Sequence, residues 1–364
     1  MAQRNSMHLI VLPGDGIGPE ITEATVAVLE AVSDRFGLGL RLEPDIAGHE
    51  SLMRHGITVR PELLEKVKAA DGLVLGPMST FDYTDESKGG INPSMFFRKN
   101  LDLFANVRPA RTYPGVKHHA LSEFDLVVVR ENTEGFYADR NMESGGSEIL
   151  VTPDVCISFR RITRLCCERI ARAAFRLAAT RKKHVSAVHK ANVLKIGDGI
   201  FLEECRKVAA EFHDVTMDEY IIDAMCAHVV RAPQNFDVIV TTNMFGDILS
   251  DLTAELSGSI GLGGSVNAGS RYAMAQAAHG SAPDIAGQDR ANPLSLILSV
   301  AQLLDWHADR LGSSAFAAAS RAIATAVADA VAAGESTSDV GGRMGTAATG
   351  AGIAARLRAM PVPA

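Results

Sequence analysis

Short runs of apolar residues alternate along the chain with longer amphipathic stretches. The runs at 9–12, 73–75, 126–129 and 238–240 contain no polar residue and are too short for helices, which is typical of strands buried on both faces. A further strand is predicted at 104–109, and helices near 19–36, 61–69, 160–180, 198–212, 247–257, 292–311 and 315–333. This alternation predicts an α/β fold with a parallel or mixed sheet.

Segment 137–158 breaks the alternation. It is polar and glycine-containing at 144–147, and short apolar triplets lie at 149–151 and 155–157. This pattern predicts a hairpin or arm that extends from a second domain. The chain has no low-complexity linker, so we expect two interleaved domains.

Composition narrows the class of protein. A chain of 364 residues exceeds a typical single domain, and its net charge of −7 argues against a nucleic-acid partner. Five cysteines without a C-x-x-C pair predict free thiols in a reducing cytoplasm. No apolar signal segment precedes Leu9, and no uninterrupted apolar run reaches 18 residues, so no membrane partner is expected.

Two carboxylates follow the strand predicted at 236–240. Asp247 and Asp251 lie four residues apart, and if Asp247 opens a helix their side chains share one helical face. Like charges at this spacing repel by a few tenths of a kcal/mol, which a divalent cation would reverse. The alternative is a pair of solvated surface charges.

Three arginines lie in or beside apolar stretches. Burying Arg98, Arg108 or Arg130 is costly without an anionic partner, which a substrate with several carboxylates would supply. The alternative is three structural ion pairs.

Further polar residues end apolar runs. Tyr137 is a candidate proton donor or a surface aromatic, Lys190 is a candidate acid/base, and Asp223 is a third carboxylate suited to a metal. The polar loop at 279–287 has a composition that favours ligand contact.

The glycine-rich turn G-D-G-I-G at 14–18 lacks the G-x-G-x-x-G spacing of a dinucleotide-binding fingerprint, and Pro19 follows at once. Its backbone N–H groups could approach a ligand, but a purely structural turn is equally compatible with the sequence.

Together these segments resemble the β-decarboxylating dehydrogenases, which include isocitrate, 3-isopropylmalate, homoisocitrate and tartrate/D-malate dehydrogenases. The similarity covers residues 8 to about 355, in the family's order. The matching motifs are G-D-G-I-G-P-E (14–20), F-F-R-K-N-L-D-L-F-A-N-V-R-P (96–109), V-R-E-N-T-E-G-F-Y (129–137), H-K-A-N (189–192), N-M-F-G-D-I-L-S-D (243–251) and H-G-S-A-P-D-I-A-G (279–287).

The resemblance implies a two-domain α/β fold with interleaved open sheets and without a Rossmann motif. On this basis 1–110 plus 255–364 form a cofactor-side domain, and 111–254 form a substrate and dimerisation domain with an arm near 137–158. The active site is expected in the cleft of a homodimer.

The resemblance also implies roles for single residues. Arg98, Arg108 and Arg130 would hold the substrate's malate carboxylates. Asp247 and Asp251, together with Asp223 of the partner subunit, would bind Mg²⁺ or Mn²⁺. Tyr137 and the partner's Lys190 would transfer protons.

The expected cofactor is NAD, because Asp284 and Ile285 stand where NADP-dependent relatives place a cation and a phenol for the 2′-phosphate. An aspartate there accepts hydrogen bonds from a ribose hydroxyl and repels a phosphate. Gln276 replaces a glutamate common in the family near the nicotinamide ribose, and Asn292 is expected at the adenine. The cofactor-binding residues implied are Asn192, Gln276, His279, Gly280, Ser281, Ala282, Asp284, Ile285 and Asn292.

Asn92, Ser94 and Met95 are expected to face the C3 substituent of the substrate. The best match is a 3-isopropylmalate dehydrogenase that oxidises a (2R)-malate-type 2-hydroxy acid. Isocitrate, homoisocitrate, D-malate and tartrate are the alternative substrates, because Ser94 is polar. A non-catalytic regulatory subunit is an alternative of a different class, but such relatives usually lack one of the residues for metal binding or proton transfer that this chain retains.

Overall fold

The computed structural model describes residues 5–83, 85–137 and 146–361, which belong to two compact units. The terminal unit comprises Met1–Leu101, Tyr113–His118 and Gly258–Ala364, and the central unit comprises Asp102–Thr112 and His119–Ser257. Each unit contains both strands and helices, as the alternation of the sequence predicts.

The strands of the terminal unit are β1 (Ser6–Leu12), β2 (Gly39–Pro44), β3 (Gly72–Leu75), β11 (Val266–Ala268) and β12 (Ala273–Gln276). They lie side by side in the order β2-β1-β3-β12-β11. Neighbours are parallel except β11 and β12, which are antiparallel, so the described part of this unit does not follow the Rossmann strand order. Its helices are α1 (Gly18–Phe36), α2 (His49–His55), α3 (Pro61–Ala69), α4 (Pro93–Asn100), α9 (Leu294–Leu311), α10 (Ser314–Ala332) and α11 (Thr346–Ala359).

The sequence explains where the long helices of this unit begin and end. Pro19 lies in the first turn of α1, where its missing N–H costs nothing, and Gly37 ends the helix in the left-handed conformation at φ 62°. Gly312 ends α9 in the same way at φ 61°. Because these residues are strong signals for the start and end of a helix, the predicted and observed ends of α1 and α9 agree closely.

Helix α10 qualifies one prediction about membranes. By length and composition Ser314–Ala332 could cross a membrane, the only such helix in the described part of the chain, although the sequence pattern predicts no apolar run long enough. The helix contains many alanines and few charged residues, so its mean hydropathy is high. Half of its apolar stretch is buried, and it packs against α9 and α11.

Five strands form the sheet of the central unit: β4 (Ala105–Arg111), β5 (Asp125–Glu131), β8 (His184–His189), β9 (Thr216–Ile221) and β10 (Val238–Thr241). They lie side by side in the order β4-β5-β10-β8-β9. Strand β4 is antiparallel to β5, and the other neighbours are parallel. The helices are α5 (Arg164–Ala179), α6 (Gly197–Ala209), α7 (Ile222–Arg231) and α8 (Asn243–Leu256).

Alternate residues of β5 point to opposite faces of this sheet. Val127 and Val129 belong to a core with α5 and α6, whereas Leu126 and Val128 belong to a core with α7 and α8. Because both faces are covered, β5 and its parallel neighbour β10 contain continuous apolar runs in the sequence.

A two-stranded antiparallel hairpin lies in segment 137–158. It consists of β6 (Glu148–Thr152) and β7 (Val155–Ser158), and all of its residues are exposed. Its apolar side chains include Ile149, Leu150 and Ile157. Residues 138–145 of the predicted arm lie outside the described residues.

Helix α8 corrects one predicted boundary. The sequence pattern predicts that this helix begins at Asp247, but it begins at Asn243, directly after Thr242 in the N-cap position. The helix forms one turn earlier because Asn243 is engaged in hydrogen bonds that fix the start of the turn. Asp247 and Asp251 therefore lie inside the helix, still on one face.

Candidate active site

The residues predicted for proton transfer and metal binding follow the carboxyl ends of parallel strands in the central unit. Thr241 of β10 lies opposite Arg130 of β5 and Val188 of β8, and His189 lies opposite Ile221 of β9. The segments that follow β8, β9 and β10 hold Lys190, Asp223 and Asp247. Ligand sites of open α/β sheets lie at this edge.

Arg130 is the best-buried of the predicted arginines, with 2% of its surface exposed. Its Nε and Nη2 donate to Oδ1 of Asn243 at 3.0 and 2.7 Å, and its Nη1 donates to Oδ1 of Asp247. A Cβ on Gly246 would lie 2.6 Å from Cβ and Cγ of Arg130, so a side chain at 246 would displace the arginine. The glycine of the N-M-F-G-D motif is thus explained by the room that Arg130 needs.

Arg108 approaches the same helix face from β4. Its Nη1 donates to Oγ of Ser250 at 2.8 Å and to Oδ1 of Asp251 at 2.9 Å, and it lies 3.6 Å from Oδ1 of Asp247. We call Arg108, Arg130, Asp247 and Asp251 the charged cluster. Within one chain, two guanidinium groups offset the repulsion of the two carboxylates.

The charged cluster fits a divalent cation. Burial raises the pKa of the Asp251 carboxyl above its usual range, and the Asp247 carboxylate adds to this shift, while Arg108 opposes it. A cation would stabilise both carboxylates in their charged forms, and carboxylate oxygens are the ligands that Mg²⁺ and Mn²⁺ prefer. No three acidic, His or Cys side chains of the described residues converge on one point, so this pair alone does not complete a metal site.

Lys190 and Asp223 contact each other rather than the charged cluster. Lys190 Nζ donates to Oδ1 of Asp223, at the start of α7, which lowers the pKa of that carboxyl. The backbone N–H of Lys190 donates to Oδ2 of the fully buried Asp198 at 2.5 Å. Burial lowers the pKa of the preceding His189, whose Nδ1 accepts from the N–H of Ala191 at 3.0 Å.

Tyr137 follows a turn organised by two buried glutamates. Glu131 accepts from the backbone N–H groups of Thr133 and Glu134 at 2.8 and 2.9 Å. Glu134 accepts from both the N–H and the hydroxyl of Thr163 at 2.9 Å. Burial raises the pKa of both carboxyl groups.

Two contacts place Tyr137 beside the charged cluster. The Nδ2 of Asn243 donates to the carbonyl of Glu134 at 2.9 Å, which joins the turn to α8. The guanidinium carbon of Arg130 lies 6.0 Å from the centroid of the Tyr137 ring. The geometry therefore brings together Arg108, Arg130, Asp247, Asp251 and Tyr137.

In the terminal unit, three of the predicted residues form a continuous hydrogen-bonded chain. Gln276 Nε2 donates to Oγ of Ser94 at 2.6 Å, and Arg98 Nη2 donates to Oε1 of Gln276 at 3.1 Å. We call Ser94, Gln276 and Arg98 the amide chain. Asn92 caps α4 by accepting from the N–H of Met95 at 3.2 Å, so its side-chain oxygen is used within the helix.

The glycine-rich turn supports the 279–287 loop. Ile17 N–H donates to the carbonyl of Ser281 at 2.9 Å, and a Cβ on Gly16 would lie 2.0 Å from that carbonyl oxygen. The hydroxyls of Ser79 and Ser281 are 2.9 Å apart. Of the two readings of this turn, the structure supports the structural one, because its close approach is to the chain itself.

The other predicted cofactor residues differ in their surroundings. Asp284 and Gly280 are exposed, Ala282 has a positive φ of 37°, and burial lowers the pKa of His279. Asn192 is exposed on the turn after β8. Ile285 ends a short 3-10 turn.

Asn292 is engaged inside the terminal unit. It donates through Nδ2 to Asp339 at 2.8 Å and accepts from the N–H of Leu294 at 2.9 Å. Its side chain thus links the start of α9 to the segment that contains Asp339, and its adenine contact stays a prediction.

Several residues of the site are not predicted from the sequence. Asn243 is the first residue of a motif quoted in full, so the motif itself is the signal that could have found it. Ser250 lies in the same motif. Asp198 and Arg160 lie outside every motif, and only the folded chain brings them to Lys190.

The sequence model of the family described as isocitrate/isopropylmalate dehydrogenase matches residues 8–353. The 3-isopropylmalate/3-methylmalate dehydrogenase of Methanocaldococcus jannaschii is 39% identical over 97% of this chain and 99% of its own length. The isocitrate/homoisocitrate dehydrogenase of Thermus thermophilus is 41% identical over 82% of this chain and 85% of its own length.

A solved structure is similar over nearly the whole chain. The crystal structure of an isocitrate dehydrogenase from Methylococcus capsulatus has a TM-score of 0.85 and 38% identity, covering 97% of this chain and 99% of that one.

Proposed function

Since the chain belongs to the isocitrate/isopropylmalate dehydrogenase family, we propose that it oxidatively decarboxylates a 3-substituted (2R)-malate, with 3-isopropylmalate as its substrate. The predictions of the family, of an α/β fold without a Rossmann arrangement and of a β-decarboxylating dehydrogenase are confirmed by the family match and by the similar structure. As a member of this family the enzyme uses NAD and Mg²⁺ or Mn²⁺.

The charged cluster is the observation that carries the proposal. A 2-hydroxy diacid needs cationic partners for its carboxylates and anionic ligands for a metal, and the cluster offers both within hydrogen-bonding distance. Arg108 and Arg130 bind the substrate carboxylates, and the role expected of Arg98 in the terminal unit stays a prediction. Asp247 and Asp251 are the metal ligands of this chain.

The proton steps are assigned to Tyr137, which lies beside the charged cluster, and to Lys190, which within one chain pairs with Asp223. When bound, the divalent cation and NAD supply a Lewis acid and a hydride acceptor. Lys190 accepts the proton of the C2 hydroxyl as hydride leaves C2. Tyr137 protonates C3 after loss of CO₂, and the nearby Arg130 orients its ring.

We propose that the active enzyme is a homodimer in which Lys190 and Asp223 of the partner subunit complete each site. Two observations support this arrangement. Lys190 and Asp223 are paired with each other and do not join Asp247 and Asp251 within one chain. The hairpin and the exposed Ile248 of α8 present apolar surface of the kind that marks interfaces.

Mixing two inactive variants tests the shared site. Asp247→Asn and Lys190→Ala chains are unfolded, mixed and refolded together. One of the two sites of each mixed dimer would be intact, so activity should return to about a quarter of the wild-type value. No recovery, with mixed dimers demonstrated by mass spectrometry, would refute the shared site.

A second substrate class is favoured by the amide chain. Ser94 accepts in its bond with Gln276, so its own O–H can donate to a polar C3 substituent such as the carboxymethyl group of isocitrate. NADH formation with Mn²⁺ is therefore measured with 3-isopropylmalate, isocitrate, homoisocitrate, D-malate and tartrate. We expect the highest kcat/KM with 3-isopropylmalate, and no NAD reduction with any of them would refute the proposed reaction.

The cellular site is proposed as the cytoplasm. All five cysteines are free thiols, and three of them are buried. This arrangement suits a reducing compartment. The amount of the protein in cytosolic and periplasmic fractions, each checked with a marker protein, tests this location.

A further inference from the structure

Arg160 lies between the hairpin and α5, and its side chain is almost completely buried in the central unit, with 11% exposed. Its Nη2 lies 2.7 Å from Oδ1 of Asp198 and donates to Oγ1 of Thr242 at 3.2 Å. Its guanidinium carbon lies 5.9 Å from the ring centroid of Phe136 and 5.8 Å from that of Phe245. None of the motifs that match the family contains this arginine.

Each of these contacts belongs to a different segment of the active site. Phe136 is covalently next to Tyr137, and Asp198 accepts the backbone N–H of Lys190. Thr242 occupies the N-cap position of α8, the helix that carries Asp247. A single guanidinium group thus contacts the turn before Tyr137, the Asp198 carboxylate that holds the backbone of Lys190, and the start of α8, which carries Asp247.

The chemistry of the surroundings explains why an arginine is present. Asp198 is fully buried, and a buried carboxylate needs a cation as well as hydrogen bonds. The two aromatic faces attract a planar cation, and the several N–H groups of a guanidinium reach two acceptors in different directions. Gly197 leaves room for the group, since a Cβ there would lie 3.1 Å from Nη1 of Arg160.

We propose that Arg160 is a positioning residue that fixes Tyr137 and the start of α8 in the site of its own subunit, and Lys190 in the site that this lysine completes for the partner subunit. The inference rests on the proposed function, which assigns the proton steps to Lys190 and Tyr137. Arg160 acts through Asp198 on the backbone of Lys190 and through the aromatic rings on the other two segments. It contacts none of the reacting groups itself.

The main test variant is Arg160→Lys, which keeps a positive charge for Asp198 and so avoids leaving a buried carboxylate unpaired. A lysine cannot contact Asp198, Thr242 and both rings at once. Because a misplacement of about 1 Å can cost about 10²-fold in rate, we expect kcat to fall by about ten- to 100-fold. The KM for NAD should stay within about threefold of the wild-type value, since the binding groups are kept.

Two further measurements separate positioning from a general loss of structure. The isotope effect on kcat with substrate deuterated at C2 should rise, because a misplaced proton acceptor makes the chemical steps slower than product release. Amide hydrogen exchange should become faster at Lys190 and in the turn before Tyr137, and stay unchanged in α9 and α10.

Arg172→Lys is the matched control. Arg172 lies on α5 in the same unit and pairs with Glu211 and Glu168 at the surface. Its kcat and its exchange pattern should equal those of the wild type.

The proposal would be overturned if Arg160→Lys kept wild-type kcat. It would also be overturned if kcat fell without faster amide exchange at Lys190 and in the turn before Tyr137, or if amide exchange became faster throughout the protein. Failure of the proposed function is a separate result. In that case the wild type turns over none of the substrates, whereas the exchange experiment still reports whether Arg160 holds Lys190 in place.

Discussion

The charged cluster of the central unit and the amide chain of the terminal unit are built on opposite principles. The charged cluster pairs two arginines with two carboxylates. The neighbouring Gly246 leaves no space for a side chain beside the buried Arg130. The amide chain connects a hydroxyl, a neutral amide and one arginine. The first holds the charges that the proposed reaction needs, whereas the second includes two neutral groups, Ser94 and Gln276, that can vary with the substrate.

This difference predicts a ranking of mutational effects. Changes in the charged cluster should abolish or strongly reduce turnover of every substrate. Changes in the amide chain should alter the choice between substrates and the balance between substrate and NAD binding. The predictions below test this ranking from the largest expected effect to the smallest.

Asp247→Asn should lower kcat by at least about 10³-fold, equivalent to about 4 kcal/mol of transition-state stabilisation. The amide oxygen can still accept from Arg130, so the protein should stay folded, but the metal loses an anionic ligand. NADH formation and thermal unfolding are measured together, with Asp34→Asn on the exposed face of α1 as the control. Metal-dependent turnover at the wild-type rate would refute the ligand assignment.

Gly246→Ala should lower kcat/KM by roughly 100-fold, because the added Cβ would lie 2.6 Å from the side chain of Arg130 and displace it. The strain should also lower the free energy of unfolding by about 1–3 kcal/mol. Gly199→Ala on α6 is the control, since a Cβ there meets nothing within 4 Å and should stabilise the helix. Equal effects of the two changes on urea unfolding would contradict the packing argument.

Gln276→Glu should separate substrate binding from NAD binding. The new carboxylate would face Arg98, which Gln276 now contacts at 3.1 Å, and would no longer donate to Ser94. We expect the KM for the hydroxy acid to rise by roughly tenfold and the KM for NAD to fall, because a carboxylate is the stronger acceptor for a ribose hydroxyl. Exposed Gln234→Glu is the control. A parallel change of both KM values would show that the amide chain does not discriminate between them.

His189→Gln and His279→Gln compare the two units through acid stability. Burial lowers the pKa of both histidines, so each stays neutral in the native protein where the unfolded chain, with an ordinary value of 6.5, takes up a proton. The unfolded state then binds more protons, and stability falls as the pH falls from about 6.5 through the lowered pKa.

Each variant should therefore lose less stability on acidification, by at most about 1.4 kcal/mol per pH unit. Urea unfolding at a series of pH values measures the slope, with exposed His55→Gln as the control. A steeper slope in either variant would contradict the sign of the shift.

The sequence predicted much of the fold because local signals agree with the tertiary structure. The runs at 126–129 and 238–240 are buried on both faces, and helix ends coincide with Pro19 and Gly37. The sequence pattern does not predict strands β2, β8, β9, β11 and β12 or helices α2, α4, α7 and α11, since these elements are short, half-exposed or interrupted by polar residues. The start of α8 was missed because side-chain hydrogen bonds of Asn243, rather than its helix propensity, fix that turn.

What the sequence by itself determined is the set of chemical groups: two carboxylates on one helix face, arginines beside apolar strands, and a lysine and a tyrosine after buried runs. Motif spacing preserves this information because these groups lie where strands end. Only the tertiary structure decided which groups contact each other. It paired Lys190 with Asp223, it placed Gln276 between Ser94 and Arg98, and it brought Arg160 to three separate segments. Such contacts join residues far apart in the chain, and no local pattern of polar and apolar positions encodes them.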